Sequence, residues 1–112
     1  MKREKLQQDV CAEFDAAFSP APTNVNSGFA LGTEARKPIH GLRHRLTADT
    51  TGWYIWCGEF SEASDFFKPI HTAHLDELLP DVVPFLGLPP GYRFMLNHDL
   101  RDVWFDPSLL NA

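Results

Sequence analysis

Cysteine is scarce in this chain: Cys11 and Cys57 are the only two in 112 residues. Two do not make a disulfide scaffold. Cys11 lies in a stretch that reads as helix and Cys57 in one that reads as a core strand, so both are expected as buried free thiols in a reducing compartment. No apolar run approaches ~20 residues, so no membrane-spanning helix is expected. The N-terminal MKREKLQQDV has no apolar segment after its basic residues, so no secretory signal is expected. These absences together predict a cytoplasmic protein. There is no Walker loop, no dinucleotide fingerprint and no G-x-S-x-G. Positive charge is also short. The net charge of −5 disfavours nucleic-acid binding, which needs clustered Lys and Arg against phosphate. The shortage is concentrated late in the chain. Residues 1–58 carry seven Lys/Arg against six Asp/Glu, and residues 59–112 carry three against nine. Such an acidic half can steer a basic partner or simply keep the protein soluble.

The length predicts one domain, residues 1–112, able to bury roughly 65% of the unfolded chain's surface. Aromatic residues make up 12%, which points to a core of large rings. They concentrate in Thr51–Phe67, TGWYIWCGEFSEASDFF, which holds two of three Trp and three of nine Phe. Gly52 and Gly58 bracket its apolar part. Strand alternation would send Trp53, Ile55 and Cys57 one way and Tyr54 and Trp56 the other. Both faces are ring-rich or apolar, so a central strand packed on both sides is expected. After Gly58 comes an acidic, aromatic loop with Glu59, Phe60, Glu62 and Asp65. A buried strand that delivers such a loop to solvent is a natural place for function.

Elsewhere, the four-residue recurrence of Leu6, Val10, Phe14 and Phe18 predicts an N-terminal helix over 1–18 stopped by Pro20 and Pro22, its regular part starting at residue 3. Residues 19–27 read as a linker. Gly28–Gly32 reads as a short strand with Phe29 and Leu31 on one side. Leu42–Leu46 reads as a strand with Leu42, His44 and Leu46 on one face and Arg43 and Arg45 on the other. His71 or Thr72 would start a short helix through Leu79 with Leu75, Leu78 and Leu79 inward, and Pro80 a second one through Leu86. Tyr92–Leu96 and Arg101–Asp106 read as a hairpin closed by a four-residue loop. The sum is α+β: an antiparallel twisted sheet of about five strands, an N-terminal helix, and one or two short helices between a meander and a C-terminal hairpin.

Constellations for chemistry are weak. His71 and His74 share the spacing of a helical metal pair but lack a third ligand in sequence, and surface histidines are the simpler reading. A small metal-dependent hydrolase built on them stays as an alternative. Cys57 with Glu59 and His71 would make a nucleophile and base only if the thiol were activated, and a core-strand thiol is inert. Glu59 with Asp65, or Asp102 with Asp106, is the kind of carboxylate pair any acidic loop offers. No catalytic residue, metal ligand or cofactor is therefore assigned. The basic stretch Arg36, Lys37, His40, Arg43, Arg45 would either bind an anion or pair with the chain's own acidic loop. The meander favours the second, by placing these strands beside the central one.

The order of several short motifs carries a resemblance. G-F-A-L-G-T-E, an L-x-x-R strand, a G-W strand ending G-E, P-F-L-G-L-P-P-G-Y-R-F and D-V-W-F-D occur in that sequence over residues 28–106. The carriers are Gly28, Gly32, Gly52, Trp53, Gly58, Glu59, Leu86, Pro89, Gly91, Trp104 and Asp106. In this order the chain resembles the immunity protein 33 family, small bacterial proteins often found near toxin systems. The first 27 residues and the Trp56-Cys57 pair lie outside it. The resemblance implies a non-enzymatic cytoplasmic protein that binds and neutralises a cognate protein toxin. The residues assigned to that interface are Glu59, Phe60, Glu62 and Asp65, where rings sit within a charged rim. A homodimer that uses an exposed sheet edge is a third reading.

Overall fold

The computed structural model, which describes residues 2–111, places Thr50–Cys57 as an eight-residue strand inside a six-stranded sheet. The elements in chain order are α1 (Lys2–Glu13), β1 (Asn26–Phe29), β2 (Ile39–Arg43), β3 (Thr50–Cys57), β4 (Lys68–His71), α2 (Thr72–Leu78), a 3-10 helix (Pro80–Phe85), β5 (Tyr92–Asn97), β6 (Leu100–Phe105) and a final 3-10 helix (Pro107–Asn111). The sheet order is β4-β1-β3-β2-β5-β6. It is α+β, as expected, with six strands rather than about five. It is also mixed rather than wholly antiparallel: β1 runs parallel to β3. The chain between them is long enough to cross over and lets β2 pair on β3's other side.

Helix α1 stops earlier than the periodicity predicts. Asp15 takes a left-handed φ of 56°, Ala16 N–H reaches back to Cys11 O at 2.8 Å, and Asp15 N–H to Ala12 O at 3.3 Å. This is a Schellman close with Asp where Gly is commoner. Its buried face is also different. Gln7, Val10 and Cys11 face inward, while Leu6 is exposed. Gln7 turns inward because Nε2 donates to Val83 O at 3.0 Å, and the Cys11 thiol donates to Gly87 O at 3.4 Å. Both cysteines are buried free thiols, as expected.

α1, α2 and the first 3-10 helix share one face of the sheet. Phe29, Ile39, Trp53, Ile55, Cys57, Phe94 and Leu96 meet Val10, Leu75, Leu79, Val82 and Phe85 there. Leu78, expected inward, is exposed. Gly41 lies in this layer because the Phe94 ring occupies its face; a Cβ would sit 2.3 Å from that ring. A buried hydroxyl chain pins β1 between β3 and α2: Ser27 Oγ is 2.7 Å from Thr51 Oγ1 and 2.8 Å from Thr72 Oγ1. The C-terminal hairpin forms as expected, but Asn97 pairs directly with Leu100, so its turn has two residues rather than four. His98 takes φ 55° there.

One inversion matters most. β2 begins at Ile39, so Ile39, Gly41 and Arg43 point to the core and His40 and Leu42 point away. The alternation read over Leu42–Leu46 has its faces reversed, and the strand stops before His44. Arg43 is 0% exposed. Its Nε donates to Thr51 O at 2.8 Å, Nη1 to Ser19 O and Leu88 O at 2.8 Å each, and Nη2 to Pro20 O at 3.2 Å. The guanidinium carbon lies 5.6 Å from the Trp53 ring centroid. Burial pushes its pKa down to about 10, still well above neutrality, so the group is charged at pH 7. No carboxylate among the described residues pairs with it. Four carbonyl dipoles and an aromatic face replace its water.

Arg43→Met should therefore cost at least ~3 kcal/mol in urea unfolding, because it strands four carbonyls whose desolvation runs ~1–3 kcal/mol each. Arg43→Lys should cost about 2 kcal/mol, since an ammonium keeps the charge but not the planar fork. An unchanged midpoint for Arg43→Lys would show that charge alone suffices.

Candidate functional site

Among the described residues no α-helix covers the other face of the sheet. The final 3-10 helix reaches it at His44, whose Nδ1 lies 3.1 Å from Leu109 O and whose ring stands edge to face with Tyr54. Strand register sets two ladders across it: Tyr54, Leu42, Arg93 and Trp104 in one, and Trp56, His40, Met95 and Asp102 in the next. At the β3 end, this face is roofed by the chain's own acidic loop. β3 is followed by Gly58, whose φ of 78° turns the chain outward and whose N–H donates to Pro38 O at 2.8 Å. Residues 59–67 then fold back over the sheet. Phe66 N–H closes a turn onto Ala63 O at 3.0 Å, and Ala63 N–H donates to Ser61 Oγ at 3.1 Å.

The loop's rings hold it there. Phe67 meets Tyr54 at 5.2 Å and Trp56 at 5.9 Å between centroids, edge to face. Phe60 meets Trp56 at 5.4 Å and Phe66 at 5.5 Å, and Phe66 meets Phe67 at 4.9 Å. These are favourable quadrupole geometries, worth ~0.5–1.5 kcal/mol per pair beyond area. The expected packing on both sides of the central strand is thus realised by unlike layers, helices on one side and an aromatic loop on the other. Phe66 and Phe67 are half-buried in this second cluster, outside the main core. Trp56 is almost fully buried, and its indole N–H has no hydrogen-bond partner among the described residues.

The four residues assigned to an interface are all exposed. Glu59, Glu62 and Asp65 face solvent, and Phe60 is 56% exposed although its inner edge touches Trp56. None of the three carboxylates takes part in an ion pair among the described residues. The expected pairing of the basic stretch with this loop therefore does not occur. Arg43 is spent inside the core, and Arg45 Nε donates to Leu110 O at 2.8 Å. The Arg36 side chain packs beside Gly58. The result is a ring with a carboxylate rim, anchored from beneath by other rings.

The remaining candidates do not assemble. His71 and His74 have ring centroids 6.0 Å apart, and no group of three or more His, Cys, Asp or Glu converges among the described residues. Burial raises the Cys57 pKa, the direction opposite to an activated thiol. Asp102 stands on the open face, while Asp106 bonds Arg93 at 3.1 Å and the Ser108 hydroxyl at 2.6 Å. Sequence reasoning missed His40, Arg93 and Trp104 as neighbours on this face. His40 stacks on Trp56 at 4.9 Å with 18° between planes, and the Arg93 guanidinium carbon lies 5.8 Å from the Trp104 centroid. Only strand register brings them together. No described helix is long and apolar enough to cross a membrane.

The model of the Imm33-like domain family matches residues 6–106 of the chain. No curated protein and no solved structure matches it.

His40 links this face to pH. Burial first, and nearby Arg93 second, push its pKa below the ordinary histidine value. The folded state then binds fewer protons at this ring than the unfolded chain does. Stability should fall as pH drops from about 6.5 through the lowered folded pKa, then level off with respect to this group. Asp106 adds a loss at more acid pH, since the Ser108 and Arg93 bonds hold its carboxyl below the usual value. Urea midpoints between pH 7 and pH 5 should decline in the wild type and flatten in His40→Gln; equal slopes would rule His40 out.

Proposed function

The chain belongs to the Imm33-like domain family, an immunity-type family, and we propose that it neutralises a cognate bacterial protein toxin by stoichiometric binding. The observation that carries this reading is the loop over residues 59–67. An exposed phenyl ring, Phe60, sits among Glu59, Glu62 and Asp65, while Phe66 and Phe67 lock the backbone beneath it onto Tyr54 and Trp56. A pre-anchored aromatic contact inside a charged rim is the arrangement that concentrates binding energy, because little ordering entropy remains to be lost. The rim's sign fits a basic toxin surface, such as a cleft that itself binds nucleic acid, and would speed encounter at low salt.

Inhibition of this kind needs occupancy and no bond making, so the protein acts without a catalytic step or a cofactor. Its place of action is the cytoplasm of the producing bacterium, where the toxin would otherwise meet its target. The same residues that hold the loop also make it rigid, which favours slow dissociation over adaptability.

Co-expression with the toxin of its own locus should restore growth, and calorimetry should give a 1:1 complex. Reversing Glu59, Glu62 and Asp65 to Lys should weaken that complex at least ~100-fold and lower its sensitivity to salt. Phe60→Ala should weaken it by about 2 kcal/mol, beyond a loss of ~1–2 kcal/mol in urea stability from its contacts with Trp56 and Phe66. Full affinity in the triple variant would remove this loop from the interface, and failure to restore growth would reject the toxin-neutralising reading itself.

A further inference from the structure

The two edges of the sheet are built differently. β4, at one edge, has four residues and carries Lys68 and Pro69, both exposed. A charge and a missing N–H are common devices against edge pairing. β6, at the other, has six residues, no proline and no bulge. It displays Leu100 at 47%, Trp104 at 44% and Phe105 at 49% exposure, three of the eight exposed large apolar residues among those described.

Its backbone is also poised. The two-residue turn makes Asn97 and Leu100 the first hydrogen-bonded pair of the hairpin, so Leu100, Asp102 and Trp104 aim N–H and C=O at β5. Asp106 N–H continues that alternation onto Gly91 O at 2.7 Å. Arg101, Val103 and Phe105 therefore aim theirs away from the sheet, and no other described segment bonds to them.

We propose that β6 pairs antiparallel with β6 of a second copy of this chain, about a two-fold axis at Val103, to form one continuous sheet. The strand's own sequence selects both partner and register. An axis at Arg101 sets two guanidinium groups face to face, and one at Asp102 sets two carboxylates face to face. An axis at Trp104 sets Asp102 opposite Asp106 of the other copy. The axis at Val103 has none of these clashes. It places Val103 against Val103, Arg101 against Phe105, and Asp102 against Trp104 across the seam. It also uses the three outward-aimed residues, giving about six backbone hydrogen bonds. The acidic loop roofs β3, three strands from this edge, so the second copy leaves it uncovered and this pairing does not depend on toxin binding.

Sedimentation equilibrium of the full chain at ~0.1 mM, ample for a micromolar contact, should give twice the chain mass. Val103→Pro removes one outward N–H, which an edge strand tolerates, and should give a monomer with the native near-ultraviolet spectrum. Trp104→Glu sets a carboxylate against Asp102 twice per dimer and should raise the dissociation constant about tenfold, whereas Trp104→Lys should not raise it. A wild type that stays monomeric at that concentration would overturn the proposal, and equal effects of Glu and Lys at position 104 would overturn its register. If Val103→Pro loses its fold, the Trp104 pair of variants decides.

Discussion

The Arg43 guanidinium is the point from which the rest of the architecture hangs. It ties three segments that are remote in sequence: the chain after α1 through Ser19 and Pro20, the start of β3 through Thr51, and the turn after the 3-10 helix through Leu88. Its own backbone carbonyl accepts Gly91 N–H at 2.7 Å, at the entrance to β5. An apolar side chain in its place could fill the volume but could not hold those loops at fixed distance. A carboxylate partner would give the charge its countercharge and leave the carbonyls unbound. The arrangement works because a planar group with five donors matches several carbonyls at once, and because Trp53, fixed in turn by its indole N–H on Leu86 O at 2.9 Å, lies against it.

With the helices thus drawn to one face, the opposite face has to be settled by other means. Tyr54 and Trp56 would otherwise stand in water as a large apolar patch. The loop over residues 59–67 solves this locally, since it is joined to β3 and β4 and lands on the rings nearest to it. Covering a sheet with a loop has a consequence that covering it with a helix does not. Backbone groups of the loop stay near solvent and its alternate side chains can only point outward. Apolar residues on the loop anchor it, and acidic residues on it are left for another molecule. Stability and recognition are therefore divided between neighbouring residues: Phe66 and Phe67 serve the first, Glu59, Glu62 and Asp65 face solvent, and Phe60 touches both sides.

How legible this was depends on which signal each residue carried. β3 could be read because Gly52 and Gly58 bracket an unbroken apolar and aromatic run, and the hairpin because its alternation is clean. The exposure of the acidic loop followed from its carboxylates. Arg43 reads as a solvent position because two arginines alternating with Leu42, His44 and Leu46 imitate a solvent face. Beginning the strand at Ile39 reverses the parity, and nothing in the local pattern marks that start. α1 was misjudged for a similar reason. Its inner face includes Gln7 and Cys11, whose burial is justified only by carbonyls of Val83 and Gly87 far along the chain. The parallel placement of β1 and the stacking of His40 on Trp56 are properties of register, which no single stretch contains.

The use of arginine inside the protein also shapes its outside. Arg3, Lys5, Arg93 and Arg101 are engaged in ion pairs within the chain, and Arg43 is sealed in the core. Half of the ten Lys and Arg are thereby committed, against four of the fifteen Asp and Glu, namely Asp9, Glu13, Asp76 and Asp106. The buried cation counts in the net charge, but at 0% exposure it cannot make direct contact with any approaching molecule. The net charge of −5 is therefore unevenly spread: around residues 59–65 no ion pair among the described residues offsets the three carboxylates. The interaction that holds the fold together thus also strengthens the acidic character of the surface, because it removes positive charge from the places a partner can reach.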